Sequence, residues 1–482
     1  MIDFRPVGYV IGLLLLALGA SMALPMLADI MQGNGHWPVF FESGMITLLV
    51  GMCLALSCSN AVRDRLSLQQ TFLLTTTVWV ALPIFAALPF MLGATEVSYT
   101  DAFFEAMSGL TTTGSTVLTG LDTLPRGLLL WRGMLQWFGG IGIIVVAMVF
   151  LPELRVGGMQ IFRSEAFDTM GKVLPRAAEI ASQISTIYIG ITLACALAYS
   201  AGGMGPFDAV VHAMTTVSTG GFANYDASFA QFSGGLEYVA TVFMLAAALP
   251  FVLYVQLLNG NGRPLIHNSQ VRAFLGVAAA LTLVIALVLM VRASFPAEQA
   301  MREALFNIAS ILTGTGYTSV DYMNWGAFVI GLFFFMGLIG GCAGSTSCSI
   351  KIFRYQILLA AIKAQIRRVH SPHGIFMARY DGRTVTEDVL SSVMAFFVLF
   401  IVTLGVFAVA LAMTGLDFLT SVSGAATAVA NIGPGLGPVI GPSGNFAPLN
   451  DVAKWLLSAA MLIGRLELVV VYVLFTARFW RG

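Results

Sequence analysis

The sequence predicts an all-α polytopic membrane protein with ten full transmembrane spans and four short re-entrant half-helices in a pseudo-fourfold arrangement. Three observations support this fold class. Only 10% of the 482 residues are charged, against roughly 25% in soluble domains, and the mean hydropathy is +0.87. Ten apolar stretches are long enough to cross a bilayer. One short motif recurs four times along the chain.

The ten apolar stretches are each about 20 residues or longer, the length that a helix needs to cross the hydrocarbon core. We place them at about 7–30, 39–59, 71–93, 128–150, 183–203, 237–258, 273–295, 326–350, 391–413 and 453–477. The eighth could continue to about residue 365. The run from Val7 to Leu27 lacks a small-residue cleavage site, so we interpret it as a retained span and not a signal peptide.

Lysine and arginine residues indicate the orientation of these spans. An even number of spans places both termini on one side, and the segments on that side hold 18 of the 24 Lys and Arg residues. The other six are Arg126, Arg132, Arg292, Arg302, Lys454 and Arg465. Because cytoplasmic loops are enriched in positive residues, both termini are predicted to be cytoplasmic. The formal net charge is zero, so no basic excess indicates nucleic-acid binding.

Internal repetition divides the chain into five parts. Two extra spans occupy 1–66, and four repeats follow at 67–155, 156–262, 263–370 and 371–482. Each repeat contains a span, a short half-helix, a glycine-bearing loop and a second span. The second span of the third repeat is interrupted by a run of small residues. All four glycine loops fall on the outer side, so the repeats are parallel and predict a pseudo-fourfold axis along the membrane normal.

The repeated motif aligns without gaps between Asp101–Gly114 and Asp208–Gly221. The third copy runs from Glu303 to Gly316 with the same step of thirteen residues, and the divergent fourth copy runs from Thr420 to Gly433. The acids at the start are interpreted as helix caps, although they could also concentrate cations at the mouth.

A half-helix of about eleven residues cannot cross a bilayer, so each is expected to enter it and return as an extended segment. Non-helical backbone at that depth is tolerated beside a water-filled cavity or inside protein. Four such loops around one axis predict a single central pore. The alternative is that they are tight re-entrant turns in which glycine serves only the fit.

The residue types of the loops predict a filter for a monovalent cation. Glycine lets carbonyls turn toward the axis, Thr and Ser add hydroxyl oxygens, and neutral oxygens suit a weakly hydrated ion better than Ca²⁺ or Mg²⁺. No carboxylate falls within the loops. The predicted filter residues are Thr111, Thr112, Thr113, Gly114, Ser218, Thr219, Gly220, Gly221, Thr313, Gly314, Thr315, Gly316, Asn431, Ile432 and Gly433.

The motifs TTTGST, VSTGGF, TGTGYTS and NIGPGLGP, following two extra spans, resemble the Trk/Ktr/HKT superfamily of potassium uptake proteins, most closely its bacterial TrkH/TrkG pore subunits. The resemblance covers essentially the whole chain. It implies potassium uptake across the bacterial inner membrane, a homodimer with one pore in each protomer, and a cytoplasmic nucleotide-binding regulatory subunit similar to TrkA. Plant relatives with Ser at the first filter glycine are associated with sodium, whereas all four positions are glycine here.

Residues 340–349 interrupt the eighth span with ten small residues, a poor helix sequence. We interpret Gly340, Gly341, Cys342, Ala343, Gly344, Ser345, Thr346 and Ser347 as a gating loop beneath the filter, as the resembled family has there. The alternative is a helix-packing face of small residues.

Two single residues are also candidates for a role in the pore. Arg465 lies about 16 Å along a helix from Lys454, which places it deep in the bilayer. It is interpreted as a positive barrier to cation leak, and the alternative is a structural ion pair with a neighbouring helix. His212, which replaces Glu105 in the alignment, is expected to pack or to form hydrogen bonds, and a pH-sensing role is the alternative.

Basic residues of 351–390, together with 151–182, are predicted to form the main cytoplasmic surface. This surface could contact lipid headgroups or dock a regulatory ring. The five cysteines show no paired framework, so we expect reduced structural thiols, and no resident cofactor is expected.

The sequence features bear on three possible functions: a channel, a symporter and an enzyme. A gated potassium channel is favoured, and potassium symport with H⁺ or Na⁺ is the alternative. A symporter usually needs a relay of carboxylates within the membrane, and Glu467 is the one carboxylate placed near mid-span. An enzyme is not expected, because His36, His212, His267, His370 and His373 are scattered.

Overall fold

The computed structural model describes residues 3–61, 66–146, 157–159 and 177–481. Most of these residues are helical, and many of the helices are apolar, as in a multi-pass membrane protein. Several predicted features lie outside the described residues: residues 147–150 of the fourth predicted span, the boundary between the first and second repeats at 155 and 156, and six of the basic residues counted on the predicted inner side, Arg63, Arg65, Arg155, Arg163, Lys172 and Arg176. The helices of the extra spans and the first repeat are α1 (Arg5–Ser21), α2 (Ala23–Gln32), α3 (Trp37–Cys58), α4 (Leu68–Ala86), α5 (Leu88–Leu92), α6 (Tyr99–Leu110) and α7 (Arg126–Val145).

In each of the remaining repeats a long apolar helix is followed by a shorter helix that ends at a glycine-bearing loop, and then by a second span that is broken. The second repeat contains α8 (Ala177–Ala201), α9 (Pro206–Val217), α10 (Gly235–Ala247) and α11 (Phe251–Leu258). The third contains α12 (Arg263–His267), α13 (Ser269–Arg292), α14 (Ala297–Thr313), α15 (Ala327–Gly337), β1 (Ile339–Gly340), β2 (Ile350–Lys351) and α16 (Ile352–His370). The fourth contains β3 (Arg379–Tyr380), β4 (Arg383–Thr384), α17 (Glu387–Met413), α18 (Phe418–Ala430), α19 (Asp451–Arg465), α20 (Val469–Leu474) and α21 (Ala477–Arg481). Short 3₁₀ turns lie at Ser59–Ala61, Leu121–Thr123, Ser228–Phe232 and Tyr322–Trp325.

The two extra spans pack against each other through small residues. A Cβ on Gly12 of α1 would lie 2.6 Å from the backbone nitrogen of Ala55 on α3, and one on Gly51 would lie 2.9 Å from the nitrogen of Leu16. Such close backbone approach is how helices associate where lipid removes the hydrophobic drive between them. The first two spans therefore form a tight hairpin beside the repeats.

Within the described part of the chain, seven of the ten predicted spans correspond to apolar helices long enough to cross a membrane, two of them with a one-residue turn at Met22 or Ala87, and three are broken. The span at 237–258 bends by 93° between α10 and α11, where Pro250 has no N–H to continue the helix. The span at 326–350 ends as a helix at Gly337, and the span at 453–477 breaks after Arg465, because Glu467 and Leu468 adopt positive φ. The interruption of the span at 326–350 was expected from its small residues, whereas the breaks in the spans at 237–258 and 453–477 were not predicted.

The interruption of the third repeat has a defined conformation. Strands β1 and β2 pair in parallel, with Ile339 opposite Ile350 and Gly340 opposite Lys351. The residues between them form a buried loop, and α16 begins directly after β2. The predicted break in this span is therefore confirmed, and a continuous helix-packing face of small residues is not what the structure contains. A second short hairpin, β3 with β4, precedes α17.

Candidate functional site

The four short helices α6, α9, α14 and α18 each end in the same backbone turn. Two residues before the shared glycine, φ is positive in every repeat, at Thr112 (51°), Thr219 (51°), Gly314 (80°) and Asn431 (53°). A left-handed conformation costs a β-branched threonine energy, so the surrounding structure must enforce it. Asparagine tolerates this conformation, which explains why the divergent fourth loop can carry Asn431 there.

The shared glycines Gly114, Gly221, Gly316 and Gly433, here called the glycine ring, contact one another in chain order. A Cβ on Gly114 would overlap the carbonyl oxygen of Gly220, and one on Gly221 would overlap that of Thr315. A Cβ on Gly316 would lie 2.7 Å from the nitrogen of Gly433, and one on Gly433 would lie 3.1 Å from the oxygen of Gly114. The four loops thus close a ring in which each glycine abuts the next repeat.

Each loop is held from behind by a polar side chain of its own short helix. In each repeat, the backbone N–H three residues after the shared glycine donates to a side chain that lies nine or ten residues before that glycine. The pairs are Val117 with Glu105 Oε2 (3.0 Å), Asn224 with His212 Nε2 (3.4 Å), Ser319 with Asn307 Oδ1 (3.4 Å) and Leu436 with Ser423 Oγ (3.0 Å). The predicted hydrogen-bonding role of His212 is confirmed, because its Nδ1 also bonds the carbonyl of Asp208 at 2.9 Å.

The interpretation of the acids as helix caps was wrong. Ser98 caps α6, and Asp101 sits one turn in, with its carboxylate 2.5 Å from Lys454 Nζ. Asp208 likewise lies in the first turn of α9, where it accepts hydrogen bonds from Asn224 and Tyr225. Glu303 is further inside its helix, because α14 begins at Ala297. Sequence alignment found the repeat but placed the helix starts too late.

Two polar side chains of α7 also hold the second loop, and the sequence interpretation missed them. Gln136 Nε2 donates to the carbonyl of Gly220 at 2.6 Å, and the N–H of Phe222 donates to Gln136 Oε1 at 3.0 Å. Arg132, one helical turn earlier, donates to Glu105 at 2.8 Å and to the carbonyl of Ala223 at 2.7 Å. An Arg and a Gln four residues apart in an apolar span were the available signal.

A cavity of about 530 Å³ opens on one side of the glycine ring, and all four shared glycines line it. Tyr225 and Asp226 lie on its wall. Burial and the neighbouring carboxylate of Asp208 raise the pKa of Tyr225 to about 12, so its hydroxyl stays protonated and donates to Asp208 at 2.9 Å. The cavity gives the ring an open approach lined by both polar and apolar residues.

Residues 340–347, here called the small-residue loop, lie at the opposite end of the glycine loops. A Cβ on Gly314, at the left-handed turn, would lie 3.8 Å from the nitrogen of Cys348. The small-residue loop docks into the bend between α10 and α11. Cys342 N–H donates to the carbonyl of Ala248 at 2.9 Å, and Phe251 N–H donates to the carbonyl of Gly344 at 3.0 Å. All eight of its residues are buried.

Arg465 is buried and contacts this loop directly. Its Nη1 donates to the carbonyl of Thr346 at 3.4 Å and contacts Cys348 Sγ, while Nη2 donates to the carbonyl of Gly139 at 3.0 Å. Within the described part of the chain it forms no ion pair. The nearby Glu467 instead pairs with Arg354 at 2.5 Å. The alternative of a structural ion pair for Arg465 is therefore wrong for the described residues.

The structure also bears on the cysteines and on metal binding. All five cysteines are free thiols, as expected. Among the described residues, no group of three or more His, Cys, Asp or Glu side chains is placed to hold a metal ion.

Comparisons with known proteins agree with this geometry. A family model described as TrkH, a cation transport protein, matches residues 36–481. The potassium uptake protein TrkI of Halomonas elongata is 46% identical over 99% of this chain and 97% of its own length. TrkH of Escherichia coli is 36% identical over 99% of each chain. The crystal structure of the potassium transporter TrkH from Vibrio parahaemolyticus superposes with a TM-score of 0.91 at 34% identity and full coverage of both chains. The chain belongs to the TrkH family and is a Trk-system potassium uptake protein.

Proposed function

We propose that this chain conducts K⁺ across the bacterial inner membrane through a gated, channel-like pore whose selectivity comes from backbone carbonyls of the four glycine loops. The closure of the glycine ring carries the proposal. Each shared glycine abuts the backbone of the next repeat, so a side chain at Gly114 or Gly221 would collide with a carbonyl. Four converging loops with an open cavity on one side are the arrangement that a single axial ion path requires.

The chemistry of the ring favours K⁺ over divalent cations. Its oxygens are backbone carbonyls and hydroxyls, which replace the hydration shell of a weakly hydrated ion without strong charge. The nearest buried carboxylate behind the first loop, Glu105, is neutralised by Arg132 at 2.8 Å. Ca²⁺ and Mg²⁺, which prefer carboxylates, would find few ligands there. The proposed ion-binding residues are the fifteen loop residues named from the sequence, Thr111–Gly114, Ser218–Gly221, Thr313–Gly316 and Asn431–Gly433.

The gate in this proposal is the small-residue loop together with Arg465. The loop is buried below the ring, and it is held by backbone hydrogen bonds to the bend after α10 and by the guanidinium of Arg465. A cation leaving the ring on that side meets a positive charge and a closed loop. Release of the hydrogen bonds that join the loop to Ala248 and Phe251 would open the path.

The proposal includes an assembly and a location. Both termini are placed in the cytoplasm, on the side where most Lys and Arg residues fall. Residues Lys363, Arg367 and Arg368 of α16 are exposed on that side, where they would contact lipid headgroups or a TrkA-like nucleotide-binding subunit. The working form is a homodimer with one pore in each protomer.

Rubidium flux into proteoliposomes at zero proton gradient tests the channel mechanism against symport. Purified protein is reconstituted with equal pH and equal Na⁺ on both sides, and tracer ⁸⁶Rb⁺ uptake down its own gradient is followed. Continued uptake is expected, because a pore needs no coupling ion. Uptake that appears only with a proton or sodium gradient would support a symporter and overturn the channel proposal. Liposomes without protein give the background.

A further inference from the structure

The second loop differs from the others at the residue before the shared glycine. That position is Thr113 in the first loop, Thr315 in the third and Ile432 in the fourth, but Gly220 in the second. In the first and third loops the threonine hydroxyl bonds the threonine two residues earlier, at 2.8 Å and 2.7 Å. The second loop therefore lacks the side chain that braces the first and third loops, and it has two adjacent glycines with high backbone freedom.

Gln136 of α7 occupies the space of that missing side chain. A Cβ on Gly220 would overlap the amide group of Gln136, and the three atoms nearest to it all belong to that side chain. The amide is fully buried, and it binds the backbone on both sides of Gly221, through the carbonyl of Gly220 and the N–H of Phe222. These two bonds fix the peptide groups that flank a member of the glycine ring.

Arg132 extends this support along the same helix face. Its guanidinium carbon lies 4.1 Å from the centre of the Phe222 ring, and its Nη1 donates to the carbonyl of Ala223 at 2.7 Å. Arg132 is in turn held by Glu105, which belongs to the first repeat. The first repeat thus holds the second loop at three points, Gly220, Phe222 and Ala223.

We propose that Gln136 is a positioning residue that sets ion selectivity, because it supplies from α7 the brace that the second loop cannot supply itself. The inference rests on the proposed function of the glycine ring as a filter. Without the amide, the peptide between Gly220 and Gly221 can rotate, and the oxygen geometry that distinguishes K⁺ from Na⁺ is lost. The effect is on discrimination between ions and not on the opening of the gate.

A side-chain exchange tests this proposal. Gln136→Ala is expected to lower the Rb⁺-over-Na⁺ flux ratio in proteoliposomes by about fivefold, the factor that corresponds to one hydrogen bond of ordinary strength. The double variant Gly220→Thr with Gln136→Ala restores a bracing side chain within the loop, where φ is not positive, and should recover most of the ratio. A residue with only a structural role would not be rescued in selectivity by this exchange.

Trp137→Phe is the matched control. Trp137 is the next residue of α7, but its Nε1 donates to Thr192 of α8 at 3.1 Å and not to the loop. Loss of that bond should leave the flux ratio within about twofold of the parent. If Gln136→Ala cannot be purified as a folded protein, Gln136→Met, which keeps the length without the bonds, takes its place.

The outcomes separate this inference from the function on which it rests. A selective parent with an equally selective Gln136→Ala variant would overturn the role of Gln136 and leave the filter intact. If the parent is selective but the double variant Gly220→Thr with Gln136→Ala is not, a side chain at position 220 cannot replace the amide, and the proposed bracing role of Gln136 is likewise overturned. A parent that does not distinguish Rb⁺ from Na⁺ would overturn the filter, and this inference with it.

Discussion

The glycine ring and the small-residue loop below it are held together in opposite ways. The ring is built by repetition, because four loops of equivalent backbone close on one another and each is tied to its own short helix. The small-residue loop occurs in the third repeat alone. It is held in place by elements of other repeats, among them the α10–α11 bend and Arg465. A repeated structure is suited to a fixed ion site, and a single docked loop is suited to movement.

Charge separates the two regions as well. Around the ring, the carboxylate of Glu105 lies behind the loops and is paired with Arg132, so the two buried charges offset each other. Below the ring, Arg465 and Lys351 carry buried positive charge against backbone carbonyls and the pair of Arg354 with Glu467. Small changes should therefore alter ion choice in the upper region, and flux or stability in the lower region.

The largest expected effect is on the stability of the lower region. Glu467→Gln leaves the Arg354 guanidinium, with no exposed side-chain surface, without its charged partner. Loss of one partner of a buried ion pair typically costs about 3–5 kcal/mol, so the midpoint of thermal unfolding in detergent should fall clearly. Arg5→Gln removes the exposed pair with Asp3 and is the control, with no measurable change expected. An unchanged midpoint in Glu467→Gln would show that the pair does not hold the break after α19.

The next effect is on ion choice in the upper region. Gly221 has φ of 77° and no room for a Cβ, so Gly221→Ser must displace the carbonyl of Thr315. The ratio of K⁺ to Na⁺ uptake should fall by about tenfold or more, equivalent to about 1.4 kcal/mol. Gly190→Ser, in an open position of α8, is the control. Unchanged ion preference in Gly221→Ser would remove this residue from the filter.

A smaller, several-fold effect is expected on flux when the small-residue loop is shortened. Deletion of residues 341–347 removes the hydrogen bonds to Ala248 and Phe251, so Rb⁺ flux should rise without any partner protein, while the K⁺-over-Na⁺ ratio stays near the parent value. Size-exclusion chromatography establishes that the variant is folded. A fall in flux in a folded variant would contradict the gate.

The smallest effect concerns one contact between repeats. Ser115 Oγ donates to the carbonyl of Gly433 at 2.8 Å and thereby joins the first loop to the fourth. Ser115→Ala should cost about 0.5–1.5 kcal/mol, with a slightly lower unfolding midpoint. Ser185→Ala, which removes a bond within α8, is the matched control. Equal changes in both variants would mean that the contact between loops adds nothing beyond a local bond.

The sequence predicted the parts of this molecule that repetition makes visible. Four copies with a constant step to the glycine located Gly114, Gly221, Gly316 and Gly433, and ten small residues located the break after Gly337. It did not locate the starts of the short helices, because Ser98 and Asp417 cap α6 and α18 before the aligned acid or threonine. The bends at Pro250 and after Arg465 were not predicted, because proline and single charged residues also occur within continuous membrane helices.

Contacts between distant parts of the chain could not be predicted from the sequence either. Nothing local indicates that Glu467 binds Arg354, or that Gln136 fills the place of a side chain at Gly220. Such pairings depend on how helices pack, and a single sequence does not contain that arrangement. A polar residue deep in an apolar span was the signal, and Gln136, which is uncharged, binds the second loop as directly as Arg132 does.

The central claim, that four loops form one potassium site, is tested most directly by anomalous scattering from crystals grown in Rb⁺. We expect anomalous density on the axis between Gly114, Gly221, Gly316 and Gly433, with weaker density when Na⁺ is in excess. Crystals that diffract well but show no Rb⁺ density inside this ring, or show it only elsewhere in the molecule, would contradict the claim.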